Sequence, residues 1–419
     1  MELLNKINAE LKDNMRFRVL LVLCSIFLIC VREPALLLHP RLWAEEGSIF
    51  YQFALHHSVF KIFTTAHVGY LTLFNSIVSI LQAKLFSVEN AAIISTYMGF
   101  LVQLVPVYIV GFTNHRFWDS PIKKMACTLV FIVVTAPEQW LNTTNSHFLF
   151  GLITFLIMLV PGNELSTFQK WFFRFLLLVC GLTGPASVFF TPAFLIKAYK
   201  EKNREKYIQL LILLVCTIIQ AGVILYAIFY NNTYHRLTVF SFSTTKYHFI
   251  VDNFSLLPHT AFFTYQLFSF EIISLSGMLM FVFTSFFFFK TRKQEDTLVV
   301  FIGFVTVAIF STLGSLSMEG GARYSYIPTC ILMTIILSEV LEQRVLTNTA
   351  HYITTVLISV FLIINLIWYR PVITEWAYNP NYPKWKDEVA KWRKDSLYMP
   401  KAHPAYNPDD WPVKMQNLK

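Results

Sequence analysis

The chain has 419 residues, of which 55% are hydrophobic and only 14% charged, with Phe alone supplying 41. A soluble domain carries about a quarter of its residues as Asp, Glu, Lys and Arg, so the composition excludes water as the main solvent. The 34 basic and 25 acidic residues leave a formal charge of +9, but the basic residues fall in short clusters between apolar runs, without the aromatic and basic face of single-strand binders, and nucleic acid is excluded as a partner.

A helix crossing a hydrocarbon core about 30 Å thick needs roughly 20 mostly apolar residues, and windows of that kind recur along the chain. A barrel would instead show alternating strands of about ten residues. The sequence predicts an all-α integral membrane protein of about 10–11 transmembrane helices, with a transmembrane domain over 1–369 and a short extracytoplasmic C-terminal appendage over 370–419.

The first apolar run, 17–38, follows Lys6, Lys12, Arg16 and Arg18, a basic flank that places the N-terminus in the cytoplasm. Cys30, Val31, Arg32 and Glu33 stand where a secretory cleavage site needs small residues, so this run is read as a retained helix. Residues 39–66 carry Glu45, Glu46, His39, His56, His57 and Lys61, spaced by Ile49, Phe50, Phe53, Leu55, Val59, Phe60 and Phe63. That pattern predicts an amphipathic interfacial helix in the first outer loop.

Further apolar segments follow at 67–86, 91–112, 125–137, 148–160, 172–196, 207–229, 261–289, 298–317, 325–340 and 352–368. Lys197, Lys200, Lys202, Arg204 and Lys206, and then Lys290, Arg292 and Lys293, mark the cytoplasmic face, and counting forward from them puts the C-terminus outside. Strict alternation conflicts with this rule at one place. It puts 114–124 outside and 138–147 inside, whereas Arg116, Lys123 and Lys124 favour the opposite; a re-entrant segment or a helix broken at Gly184 and Pro185 would reconcile the two. The tail changes character after Tyr369, with a short helix predicted at 384–395 and too few residues to bury a core of its own, so it is expected to lie against the outer loops. All six cysteines fall in apolar segments, with no metal-ligand spacing.

Several polar groups stand out against this background. Glu45 and Glu46 sit at the membrane boundary beside Trp43, where partial desolvation suits a general base; the same pair reads equally as an acidic helix start. His67, Gly69 and Tyr70 open the next segment, as an anion or proton site or as an interfacial belt. Glu138, Asn142, Asn145 and His147 form the densest polar cluster between apolar segments, facing a cavity or making a plain turn. Glu319, Gly320, Gly321, Ala322, Arg323 and Tyr324 place a guanidinium at the start of a span, where it can hold a phosphate in bidentate fashion or snorkel from a tight turn. The acceptor pattern for glycosylation at Asn142, Asn231 and Asn253 is a three-residue match of little weight. Phosphate-cradling nucleotide loops are absent, which leaves a lipid-linked donor for any group transfer.

In order, Trp43-Ala44-Glu45-Glu46-Gly47, His67 with Gly69 and Tyr70, Glu138 with Asn142, Asn145 and His147, Leu182-Thr183-Gly184-Pro185, and Gly321-Ala322-Arg323-Tyr324 with Pro328 make a pattern over most of the chain. It resembles the polytopic membrane glycosyltransferases of the GT-C superfamily, and within it the serotype-converting glucosyltransferases that decorate O-antigen lipopolysaccharide in bacteria and their phages. The resemblance implies residence in the bacterial inner membrane, a glucosyl donor carried on undecaprenyl phosphate, an O-antigen glycan as acceptor, membrane lipids as surroundings, and an inverting displacement on the periplasmic face. It implies Glu45 or Glu46 as base, in place of the Asp usual in that loop, and Arg323, with His67 or His147, at the leaving phosphate. Tyr70, Glu138, Asn145 and Tyr324 complete the expected substrate contacts. Some members use a divalent metal and others do not; no cluster here demands one. An O-antigen polymerase and a lipid-linked sugar flippase or transporter are the competing readings, the last of which predicts internal repeats that the sequence does not show.

Overall fold

The computed structural model describes residues 14–67, 69–230, 242–254, 270–292, 294, 296–315, 322–342, 348–367, 369, 384–403 and 411–415. Among them there are helices and isolated bridges but no strand ladder. Among the described residues five helices are long and apolar enough to cross a membrane, Val88–Phe112, Arg204–Tyr230, Ser274–Thr291, Thr297–Ser315 and Arg323–Glu342, and shorter apolar helices run over Leu73–Leu85, Ser146–Leu159 and His351–Ile367. The protein is an all-α, multi-pass membrane protein.

The helices in chain order are α1 (Met15–Arg32), α2 (Pro34–Leu38), α3 (Gln52–His56), α4 (Val59–Thr64), α5 (Leu73–Ile80), α6 (Ala91–Phe112), α7 (Pro121–Val133), α8 (Ser146–Leu159), α9 (Thr167–Gly181), α10 (Thr191–Glu201), α11 (Arg204–Tyr230), α12 (Phe242–Phe254), α13 (Phe270–Thr291), α14 (Thr297–Ser315), α15 (Ala322–Glu342), α16 (Asn348–Ile367) and α17 (Trp385–Lys394). Apart from His147 at its first turn, α8 is buried along its whole length. A helix apolar on every side belongs at the centre of a bundle, and α8 packs against α6, α9 and α15.

The connections gather at two ends. At one, here the basic end, residues 114–119, 161–164, 197–203 and 296 line a cleft of about 550 Å³. At the other, the tail end, the first loop meets residues 135–145 and the C-terminal segment, for example through the bridge between Trp43 and His403. α1 runs from the basic end, where Leu21 lies by Gly111, to the tail end, where Arg32 donates to the carbonyls of Thr135 (2.8 Å) and Tyr369 (2.9 Å).

Two of the predicted crossings do not cross. His67 packs on Phe50 and Phe53 at 5.5 and 4.5 Å between ring centroids, and Lys84 Nζ reaches the Leu55 carbonyl at 3.5 Å. Both limits of the 67–86 segment thus touch the first loop, and the chain enters and leaves at the tail end. The predicted 172–196 helix is likewise two pieces: α9 rises from the basic end, the chain breaks at 182–187, and α10 returns. The Gly162 amide donates to the Glu201 carboxylate at 3.1 Å, which closes this hairpin at the end where it began.

The cause of the second break lies in Gly184, at φ +78°, and in Pro185, which cannot supply the amide a continuing helix needs. With these two segments removed from the count, Arg116, Lys123, Lys124, Lys197 and Lys206 share the end where α1 begins. The conflict between alternation and basic flanks disappears.

The turning points of the two segments satisfy each other. The Leu73 amide donates to the Leu182 carbonyl and the Gly184 amide to the Leu71 carbonyl, both at 2.9 Å, and the Phe74 amide donates to Thr183 Oγ1 at 3.0 Å. Irregular backbone survives at membrane depth only when protein groups replace the absent water, and these bonds do that.

The predicted interfacial helix over 39–66 is also broken. A π-helical turn at Glu46–Tyr51 leads into α3, and Ser58 in an extended conformation caps α4. The tail helix α17 stops where expected, with Lys384 and Asp395 as its caps. Trp385 donates from Nε1 to the Val88 carbonyl at 2.8 Å and meets Tyr51 edge-on, so the tail packs on the first loop and the start of α6.

Candidate functional site

At the tail end, the first loop is held by an acid. Glu46 is buried at 2% exposure. Its Oε1 accepts from the Thr143 amide and from Thr143 Oγ1 (2.7 Å), and its Oε2 accepts from the Trp43 amide (2.7 Å). Arg41, buried over the face of Trp43 at 4.5 Å, adds a neighbouring positive charge. Three donors on one carboxylate make Glu46 a clamp between the first loop and the 140–143 loop.

The clamp fixes the residue beside it. Ala44 takes φ +42°, a left-handed conformation uncommon without glycine, and is held by its amide bond to the His403 carbonyl on one side and Glu46 on the other. Glu45 comes next, at the start of the π turn, half-buried. Its charge acts on Arg323, the second residue of α15.

Arg323 Nη1 donates to Glu138 Oε2 at 2.6 Å, with side-chain exposures of 18% and 21% that leave the pair at the edge of solvent. The Arg323 carbonyl accepts from Gln139 Nε2 at 3.3 Å. Asn142 and Asn145 both donate to the Glu138 carbonyl, at 2.6 and 2.7 Å, which folds the 136–145 loop on itself. Asn145 is therefore a scaffold for Glu138 and the cap residue of α8. Asn142 is fully buried, so its glycosylation pattern has no access. Leu141 is left-handed at φ +49°. An added Cβ on Gly99 of α6 would come within 2.6 Å of the Asn142 amide nitrogen, so glycine is required where helix and loop touch.

Deeper in, His147 donates from Nδ1 to the Thr144 carbonyl at 3.2 Å. The Tyr70 ring lies 6.2 Å from it between centroids. A Cβ on Gly184 would meet His147 at 2.9 Å and Tyr70 at 3.4 Å, so the same glycine that turns the α9–α10 hairpin makes room for both rings. Tyr324 packs edge-on against Phe148 at 5.2 Å, joining this layer to Arg323.

The structure thus brings Glu45, Tyr70, Glu138, Asn145, His147, Arg323 and Tyr324 to one place from four separate stretches of chain. Glu46 and His67 are engaged elsewhere. Burial against Phe50 and Phe53, then the charge of His57, lowers the His67 imidazole to about 4, so at neutral pH it is uncharged. Glu319, Gly320 and Gly321 lie outside the described residues. Among those described, no group of three or more His, Cys, Asp or Glu is placed to hold a metal ion.

Thr143, Gln139, Gly99 and Gln220 do not stand out in the sequence. Only Gln220 carries a signal there, as a lone amide deep inside an apolar span. No protein-family model matches the chain and no curated protein matches it, so the chemistry has to be argued from this site.

Proposed function

We propose that the protein is a GT-C-type glycosyltransferase of the bacterial inner membrane, transferring a glucosyl residue from undecaprenyl-phosphate-glucose to a hydroxyl of O-antigen lipopolysaccharide. The tail end is its periplasmic face, and the basic end and N-terminus are cytoplasmic. The observation that carries this reading is the meeting of Glu45, Glu138 and Arg323 at one partly exposed site on the membrane edge. A base, a guanidinium and a carboxylate that aims the guanidinium are the groups a displacement on a lipid phosphate needs.

In this reading Glu45 takes the proton of the acceptor hydroxyl as its oxygen attacks the anomeric carbon. The bond to the phosphate oxygen breaks, polyprenyl phosphate leaves, and the sugar carbon inverts. Arg323 stabilises the negative charge growing on the phosphate, the kind of preorganised electrostatic contact that usually gives the largest single share of catalysis. Glu46, with three hydrogen bonds to the protein, is assigned to holding the loop, and the role of base falls to Glu45. His147 and Tyr70 offer hydrogen bonds to the sugar rather than charge.

Transfer of labelled glucose from the polyprenyl phosphate donor to an O-antigen acceptor by the purified protein tests the proposal. Transfer abolished by Glu45→Gln is the expected result; no transfer from any lipid-linked sugar sinks it. A second reading, a lipid-linked sugar transporter, is favoured by the two broken segments meeting from opposite ends, since discontinuous helices line substrate sites in transporters. It predicts movement of the lipid-linked sugar across proteoliposomes without any transfer.

A further inference from the structure

α11 is the longest apolar helix described, and past its first two turns its hydrogen-bonding side chains are Cys216, Thr217, Gln220 and the exposed Tyr226 and Tyr230. Thr217 bonds within α11 and to Thr191. Gln220 is different. It lies about 24 Å along the helix from Arg204 at 1.5 Å per residue, is fully buried, and binds the backbone of a single residue on another segment. Its Oε1 accepts from the Leu71 amide and its Nε2 donates to the Leu71 carbonyl, both at 3.0 Å.

Leu71 is therefore gripped from two sides. Gln220 acts as a strand neighbour on one, and the Gly184 amide, which shares the Leu71 carbonyl, holds the other. The next residue outward is Tyr70, which stands over His147. We infer that Gln220 is a positioning residue: by clamping both polar groups of Leu71 from within α11, it sets the place of Tyr70 beside His147 at the floor of the site. The catalytic part of this inference rests on the proposed transferase reading, whereas the placement of Tyr70 does not.

The bland alternative is that Gln220 only satisfies a backbone amide that water cannot reach. The two roles differ in the effect of removing the side chain. Gln220→Leu keeps the volume and leaves the Leu71 amide unpaired, and a shift of about 1 Å at a substrate contact can cost on the order of 100-fold in rate. Gln220→Glu, protonated in apolar surroundings, still accepts from the Leu71 amide and donates to its carbonyl.

The test has two arms. In the first, Tyr70→Cys is labelled with a polar maleimide in the folded protein in liposomes, with Gln220 or with Leu at 220. A rate changed about tenfold by Gln220→Leu and returned by Gln220→Glu is expected; an unchanged rate overturns the inference, whatever the activity. In the second, glucose transfer is measured for Gln220→Leu, Tyr70→Ala and the double variant at matched amounts of monodisperse protein. A double variant no slower than Tyr70→Ala alone is expected, because both changes remove the same contact. Multiplying losses would assign Gln220 to general stability and overturn its positioning role. Absence of transfer in the unsubstituted protein would count against the proposed function and leave the labelling arm to decide on Gln220.

Discussion

The two ends of the bundle differ in how much of their charge stays open to solvent. At the basic end, cations are consumed by the protein. Lys124 Nζ donates to the carbonyls of Val110 (2.9 Å), Gly111 (3.3 Å) and Thr113 (2.5 Å), closing the C-terminus of α6. Lys206 Nζ does the same for α8 at Ile157 and Met158. Lys197 is shared between Asp296 at 2.7 Å and Glu201 at 2.9 Å. Each meets the negative end of a helix or a carboxylate, where a cation is most stabilising.

At the tail end Glu46, Glu388 and Arg32 are consumed in the same manner, while Glu45 and the Arg323–Glu138 pair stay half-open to solvent. The contrast teaches that a basic cluster at a membrane edge, usually read as a topology mark, can be part of the helix-capping framework. A sparser set of charges, half-open to solvent, marks the candidate site.

The sharpest way to break the comparison is Glu45→Gln. On the proposed mechanism it lowers the rate of transfer by about 10²–10⁴-fold, the usual share of a general base, with unchanged thermal unfolding. Glu46→Gln is expected to do the reverse, lowering the yield of folded protein while each folded molecule retains most of its activity. Assays normalised to monodisperse protein separate the two.

Next in size is Lys124→Met, which leaves three buried carbonyls at the end of α6 without their donor. A loss of about 3 kcal/mol is expected from such unsatisfied groups, read as a lower unfolding midpoint with transfer per folded molecule intact. A comparable fall in specific activity would contradict the division of labour between the ends. Gly99→Ala should cost about 2 kcal/mol, the usual penalty for forcing atoms into a packed contact. A stability equal to that of the unsubstituted protein would refute the close approach of α6 to the 141–142 loop.

Acid is expected to act at the tail end as well. Burial lowers both His67, to about 4, and His403, to about 3, with the charges of His57 and Arg41 as the second causes. Both are neutral in the folded protein near pH 6, where the unfolded chain begins to bind protons. Their contribution to stability is full above the ordinary histidine value of about 6.5 and is lost as pH falls toward 4. The unfolding midpoint should decline over that window, and His67→Phe should flatten part of the decline. An unaltered slope in that variant would remove His67 from the explanation.

Much of this fold is legible in the sequence. The 91–112 span and the tail helix lie where the sequence predicts them, and the break at Gly184 and Pro185 is visible as a pair of residues that cannot continue a helix. The 67–86 segment misleads because hydropathy reports composition, and a segment that enters and returns at the same end has the same composition as one that crosses. Only the packing of His67 on Phe50 and Phe53 and the reach of Lys84 to Leu55 reveal its direction.

The acidic pair cannot be divided from sequence either, since neighbours at a π turn face different surroundings, and two of the three donors on Glu46 come from Thr143, far along the chain. The left-handed Ala44 and Leu141 are invisible for the same reason: local preference argues against both, and distant contacts impose them.

The bridge between Trp43 and His403 also orders the assembly of the protein in time. The first loop leaves the ribosome long before the surfaces that Leu42, Tyr51 and Gly47 cover, because Trp385, Ala402 and Val413 supply them from hundreds of residues further along the chain. Until His403 has been made, the strained turn at Ala44 has no carbonyl to hold it. The loop that carries Glu45 therefore stays unfinished while the described membrane-crossing helices are being inserted.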